Sequence, residues 1–343
     1  MKNHLTSCSI LFAASLAIVG AIGVIGCSSD KSGQPKGLNS YVKAVQAYQA
    51  GDRDKAVQNL VVATRTNPDL IMARLMLGDL YRENGDYTQA VDQYEHLTKL
   101  DPYTWSNFYK LGVSYQFLER LREAAKSYSQ ALTLNPDDPN TNMNLGLVHL
   151  YLGDPDEAVK FTERATLLDP KSAAAYSNLG VALDARGEYA RAESAYRHSL
   201  DIDPDNATTL LNLGTNLIAQ NKGTEAVDIL ERVIKMQDTP LHRKRYGDAL
   251  AKAGRYSDAV REYQSALKLN PKYYPAMNEI GFSRIAEYKA NLELDDAKKD
   301  EALAMWAQSL EINPDQPKIV AAKKQWTEGS GGGSGADKSS ESK

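Results

Sequence analysis

The residues that could do chemistry in this chain are few, and their spacing works against it. DIDPDN, Asp201 to Asn206, places carboxylates at alternate positions, as a calcium loop does. Such a loop also needs glycine at its sixth position and a bidentate glutamate at its twelfth, where this chain has Asn206 and Asn212. Pro204 marks the stretch as a helix end instead. GGGSGA, from Gly331, satisfies the phosphate-cradling pattern G-x-G-x-x-A, yet it sits in a Gly/Ser-rich stretch with no strand before it and no helix after it. His96, His149, His198 and His242 show neither metal-ligand spacing nor partner cysteines. No nucleophile elbow or zinc-protease helix occurs. A non-enzyme is expected, with no cofactor and no metal.

One polar residue does break a local rule. MNLG, SNLG and LNLG end at Gly146, Gly180 and Gly214, thirty-four residues apart. Asn is roughly 0.5 kcal/mol worse than Ala inside a helix, so Asn144, Asn178 and Asn212 call for a reason. The same period runs through Pro68, Pro102, Pro136, Pro170 and Pro204, and through Ala56, Ala90, Ala124, Ala158, Ala192 and Ala226. A fixed step of this length signals a solenoid of stacked helix pairs. His96 and His198 occupy one position of that repeat, which favours a scaffold role for them.

Within a unit, Phe108, Leu111, Gly112 and Tyr115 define the apolar face of the first helix at positions 4, 7, 8 and 11. At 100° per residue, position 6 lies roughly 150° from the middle of that stripe. Asn178 is therefore excluded from the hairpin core. Small Gly at position 8 and Ala in the second helix let the two axes approach, Gly in turns such as RGEY and AGRY ends the first helix, and Pro ends the second.

The pattern resembles the tetratricopeptide repeat, carried most fully by Trp105, Phe108, Leu111, Gly112, Tyr115, Ala124, Tyr128, Ala131 and Pro136. The resemblance implies an all-α, right-handed superhelical solenoid of about eight helix-turn-helix units, at 37–70, 71–104, 105–138, 139–172, 173–206, 207–239, 240–273 and 274–316. The first unit has Ala44 where the others have Gly, and the sixth is one residue short. In the last, Gly281 and Ala302 are 21 apart instead of 12, an insertion of nine residues that either lengthens both helices or bulges at their turn. Residues 317–328 are expected to form a capping helix, with Ile319, Val320 and Trp326 covering the last repeat, and 329–343 a disordered Gly/Ser-rich tail.

In the tetratricopeptide family the first helix of each unit lines a concave groove. The resemblance therefore places Asn144, Asn178 and Asn212 in a row there, similar to the asparagine ladder in the repeat domain of O-linked N-acetylglucosamine transferases, whose catalytic part is absent here. A side-chain amide donates and accepts at once, which suits an extended peptide backbone. Met76, Tyr109, Lys110 and Met143 are further groove candidates, adaptable and largely apolar. Lys244 and Arg245 suggest acidic groups towards the other end of the partner.

The formal charge of −4 gives no general electrostatic reason to bind nucleic acid. At the N-terminus Lys2 precedes an apolar run that ends at VIGC, Val24 to Cys27. This resembles the lipobox of bacterial lipoproteins and implies cleavage of a signal peptide, residues 1–26, with lipidation of Cys27. The alternative is an uncleaved anchor that happens to end in a cysteine. More than one acyl chain, at about 0.8 kcal/mol per buried methylene, makes a stable anchor, and residues 27–36 then form a short tether. Ser28, where an inner-membrane retention signal would have Asp, points to an outer membrane with the body facing the periplasm. The expectation is a membrane-anchored scaffold that binds a protein or extended peptide in cell-envelope assembly. The alternative is a structural subunit of a secretion, pilus or outer-membrane assembly complex, or an adaptor for peptidoglycan enzymes.

Overall fold

The structure, a computed structural model, describes residues 35–328. The expected signal peptide, the lipidation site Cys27 and the tail 329–343 lie outside the described residues. The described residues divide into two compact units, one up to residue 100 and the other from residue 101 on. The first holds α1 (Leu38–Gln49), α2 (Arg53–Thr66), α3 (Ile71–Asn84) and α4 (Tyr87–Leu100). The second holds α5 (Trp105–Phe117), α6 (Leu121–Leu134), α7 (Pro139–Tyr151), α8 (Pro155–Leu168), α9 (Ala173–Ala185), α10 (Tyr189–Ile202), α11 (Ala207–Ala219), α12 (Gly223–Met236), α13 (Pro240–Lys252), α14 (Tyr256–Leu269), α15 (Tyr274–Ala290), α16 (Asp296–Ile312) and α17 (Pro317–Glu328). Among the described residues no helix is long and apolar enough to cross a membrane.

Local chemistry sets the helix ends. Ser172 and Asn206 cap α9 and α11 by accepting the amides of Ala175 and Thr209 at 3.2 and 3.0 Å, and Pro240 opens α13 where no amide is needed. First helices end at a left-handed glycine in Gly85, Gly153, Gly187 and Gly254. Glu119 and Asn221 occupy that conformation in the third and sixth units, at φ 59° and 63°. Second helices end where the residue before Pro turns extended, as at Asn67 and Asn270. The sixth unit lacks that Pro, yet Gln237 is extended all the same.

Within each hairpin the packing is keyed by position 8. Gly78, Gly112, Gly180 and Gly247 lie under the rings of Tyr94, Tyr128, Tyr196 and Tyr263, each so close that a Cβ would collide with the ring. Thr162, Leu230 and Trp306 take the tyrosine's place against Gly146, Gly214 and Gly281. The first unit pairs Ala44 with Leu60, both fully buried. Ala56, Ala90, Ala124, Ala158, Ala192, Ala226, Ala259 and Ala302 are likewise fully buried, which lets the helix axes close up.

The buried arc of the first helix is wider than the four-position stripe. Positions 3 and 10, such as Ala175 and Ala182 or Thr209 and Asn216, are buried, while Phe108 at position 4 is only half-buried. The cause is double duty: α9, for example, packs on its own partner α10 and also on α8 and α7 of the preceding unit.

The nine-residue insertion is divided between both expected outcomes. Compared with α9 and α10, of 13 and 14 residues, α15 and α16 have 17 each, and the turn at 291–295 is longer by two. A buried network supports the extra turns. Glu287 accepts from Ser257, from Arg284 at 2.7 Å and from Lys298 at 3.1 Å. Over this hairpin α17 lays Ile319, which is buried, and Trp326, whose ring meets Tyr288 edge-on at 6.0 Å. Val320 does not share in the cover: it is 48% exposed, because one step along the helix from Ile319 turns it to the outer face.

Candidate peptide-binding groove

Asn144, Asn178 and Asn212 occupy equivalent positions on α7, α9 and α11, helices that contact one another in that order. Each is followed by a buried leucine, Leu145, Leu179 or Leu213, which holds the helix by its core face. The asparagines themselves are half-buried, on the side away from the hairpin partner. Among the described residues the amides of Asn178 and Asn212 have no hydrogen-bond partner, so both their donors and their acceptor are open to a ligand. Asn144 differs, since its Nδ2 donates to the Tyr109 hydroxyl at 3.4 Å. The three-residue row is thus two open amides and one already engaged with the preceding unit.

Tyr109, Lys110 and Met143 are half-buried, and the Tyr109 ring leans on Tyr128 with centroids 5.9 Å apart. Met76 is half-buried on α3, in the other compact unit. Tyr109 sets an aromatic ring beside the Asn144 amide, the pairing of a polar group with contact surface that ligand sites commonly use.

The basic end of the expected groove is corrected by its neighbours. Lys244 Nζ sits 2.8 Å from Asp248 Oδ2 and 3.7 Å from Glu279 Oε1, with its side chain only 14% exposed. Arg245 Nη1 reaches the same Asp248 at 3.4 Å. Lys244 is therefore neutralised within the protein and offers no open charge to an acidic partner. Asp248, four residues on along the helix, and Glu279, on the next first helix, are what the sequence reading missed. The first was legible as an i,i+4 pair; the second needed the stacking of α13 on α15. Burial pushes the Glu279 carboxyl up, and Lys244 pulls it back.

A second set of residues was also missed. The Tyr94 hydroxyl donates to Asp79 at 2.7 Å, Tyr128 to Gln116 at 2.8 Å, Tyr196 to Asp184 at 2.8 Å and Tyr263 to Asp248 at 3.1 Å. The rings pass under the position-8 glycines, and the phenols emerge among the polar groups of the first helix. Burial, reinforced by the nearby carboxylate, drives the Tyr196 and Tyr263 phenols far up, so they stay protonated donors. Burial also raises Asp184, against the pull of hydrogen bonds from Asn216 and Tyr196. Each phenol is spent on a partner within its own hairpin.

Away from the groove the histidines make scaffold contacts. His198 lies against the Tyr176 ring at 4.0 Å, His149 stacks on Phe161 at 5.6 Å, and the His242 ring meets the Gln237 carbonyl at 2.7 Å. His96 lies 3.7 Å from Asp69. In the stretch Asp201 to Asn206, Asn206 serves as the cap of α11. Among the described residues no three His, Cys, Asp or Glu side chains gather as a metal would require.

Stacked helix pairs, glycine under the second-helix aromatic and a proline-ended second helix define a tetratricopeptide-repeat solenoid. The family model described as the cilia and flagella-associated protein 70 C-terminal domain matches residues 23–245, the tetratricopeptide repeat model matches 244–273, and the chain belongs to the former family. A tetratricopeptide repeat protein from Parabacteroides merdae is similar in structure, with a TM-score of 0.55 at 16% identity over 72% of this chain and 98% of that one. The Cut9-Hcn1 hetero-tetramer of APC/C is similar with a TM-score of 0.56 at 15% identity, over 84% of this chain and 55% of that one. A structure of MamA has 22% identity, a TM-score of 0.47, and coverage of 50% and 93%. At these identities the likeness to the first two structures shows the fold alone. No curated protein matches the sequence.

Proposed function

We propose that the protein is a non-catalytic scaffold, anchored to a bacterial envelope membrane by acyl chains on Cys27, that holds an extended segment of a partner protein along α7, α9 and α11. The observation that carries the binding role is the pair of open, half-buried amides of Asn178 and Asn212, at the same position of the first helices of two consecutive units, which contact each other. They break helix propensity with no hydrogen bond among the described residues, which marks a position kept for something outside the fold. The anchor rests on VIGC and the apolar run before it. An outer-membrane location, with the repeats in the periplasm and a role in envelope assembly, rests on Ser28 and on the same motif.

The test is replacement of both asparagines by Ala. Binding of envelope partners crosslinked to the native protein should fall, while thermal stability holds or rises slightly, since each change removes roughly 0.5 kcal/mol of poor helix propensity. Unchanged crosslinking would remove the row from the binding surface. Mass spectrometry of the mature N-terminus checks the anchor: a diacylated or triacylated Cys27 is expected, and an intact Met1 refutes it. A second reading, a structural subunit of an envelope assembly complex, draws on the tip of the last hairpin, where Leu292 and Leu294 are 80% and 82% exposed.

A further inference from the structure

The tip of the last hairpin is the part of the chain that the repeat does not explain. Because α15 runs 17 residues where α9 runs 13, its turn stands about 6 Å further out than that of an ordinary unit. The stretch reads NLELDD, Asn291 to Asp296, and both of its leucines, Leu292 and Leu294, stand in water. Leu292 and Glu293 take the left-handed backbone at φ 56° and 59°, a conformation that penalises a Cβ and that Gly153, Gly187 and Gly254 take at other turns. The turn is nevertheless fixed. Leu292 and Glu293 donate their amides to the carbonyls of Lys289 and Tyr288 at 3.1 and 3.0 Å, and the Tyr288 ring is held edge-on by Trp326. A single exposed leucine is ordinary, but two of them lifted off the body on a strained, well-held turn forfeit burial and backbone ease together, which points to a contact made outside the chain.

The charges around the leucines select the partner. Glu293 and Asp295 make no ion pair among the described residues. The neighbouring lysines are turned to the body: Lys289 lies over the Trp326 ring at 5.1 Å and Lys298 reaches Glu287 at 3.1 Å. Lys299, four residues beyond Asp295, does not pair with it. A wholly apolar cleft would strip water from both carboxylates with nothing in return. An anionic lipid surface would repel them. A cleft that takes the leucines and carries lysine or arginine on its rim satisfies the apolar and the charged groups alike.

We propose that Leu292 and Leu294 form a docking knob for a protein partner whose apolar cleft is rimmed by basic side chains. The knob rests on the reading of the chain as a subunit of a larger assembly, and it shares no residue with the asparagine row.

The test places the photo-crosslinking residue p-benzoylphenylalanine at Asn291, an exposed position beside the leucines, in the full chain in its native cell, with adducts mapped by mass spectrometry. A protein adduct is expected whose crosslinked segment carries lysine or arginine beside apolar residues. Leu294→Ser should cut its yield about ten-fold, as the loss of one buried leucine predicts. Glu293→Lys with Asp295→Lys should abolish it, and Asn178→Ala should leave it as it was. Leu292→Gly should lose the adduct while raising the thermal midpoint of the purified protein, since the backbone strain goes with the side chain. No adduct, adducts with lipid alone, an adduct that survives the charge reversal, or a lowered midpoint in Leu292→Gly would each overturn the proposal. Native gel electrophoresis of a detergent extract separates the knob from the assembly reading: a large complex that the tip variants leave intact removes the knob and keeps the assembly, and a chain that migrates alone removes both.

Discussion

Gly180→Ala puts the packing argument to its hardest test, because a helix propensity argument predicts the opposite sign. Gly180 lies in the interior of α9, where alanine gains about 1 kcal/mol over glycine. A Cβ there would stand 2.5 Å from Tyr196 Cε1, 2.6 Å from Cδ1 and 2.8 Å from Cζ. These are ring atoms of a buried side chain, not the free end of a flexible one, and the hydroxyl is tied to Asp184 at 2.8 Å. The ring cannot step aside without breaking that bond, so overpacking should cost at the upper part of the usual 1–3 kcal/mol range. The net expectation is a loss of about 1–2 kcal/mol, read from urea unfolding as a lower midpoint at an unchanged slope. Tyr196→Leu added to Gly180→Ala rebuilds the Ala44 and Leu60 pair of the first unit, and the two changes should couple favourably by about 1 kcal/mol or more. A stabilised Gly180→Ala, or simple additivity in the double variant, would refute the claim that position 8 is set by the ring beneath it.

Three further outcomes can be checked with the same unfolding assays. Asn178→Ala with Asn212→Ala should leave stability within about 0.5 kcal/mol of the parent or slightly above it while weakening peptide capture. Glu119→Gly should stabilise by about 1 kcal/mol, since Glu119 sits at φ 59° where a Cβ is penalised and where Gly85, Gly153, Gly187 and Gly254 serve at the equivalent turns. Glu287 gives a pH dependence. Burial raises its carboxyl, but hydrogen bonds from Ser257, Arg284 and Lys298 outweigh that and hold it below the ordinary range. Its stabilisation is therefore present above the ordinary glutamate pKa and lost as pH falls through the lowered folded value. Thermal unfolding between pH 6 and 3 should show this loss, and Glu287→Gln should be about 3 kcal/mol less stable at neutral pH with a flatter acid limb; a parallel acid limb in the variant would show that other carboxylates carry it.

Repetition is why so much was legible in advance. A residue seen once is ambiguous between core, cap and site; Gly180, seen again as Gly146 and Gly214 at a fixed step, declares its helical phase. The same phase placed Asn178 off the core, and the structure agrees, because the direction of a side chain on a regular helix follows from its number in the repeat. Phe108 shows where the rule stops: it has the right phase for the hairpin stripe but is only half-buried, since burial also depends on the neighbouring unit.

The sequence by itself determined the period, the helix pairs, their caps and the face on which the asparagines lie, all of which depend on residues within one turn or one hairpin of each other. Only the tertiary structure decided which polar groups remain open. Lys244 is closed by Glu279 from the next unit and Asn144 is engaged by Tyr109 from the preceding one, while Asn178 and Asn212 have no hydrogen-bond partner among the described residues. Charge and hydrogen bonding act through space between separate helices, so their outcome is set by stacking, which a linear pattern does not contain.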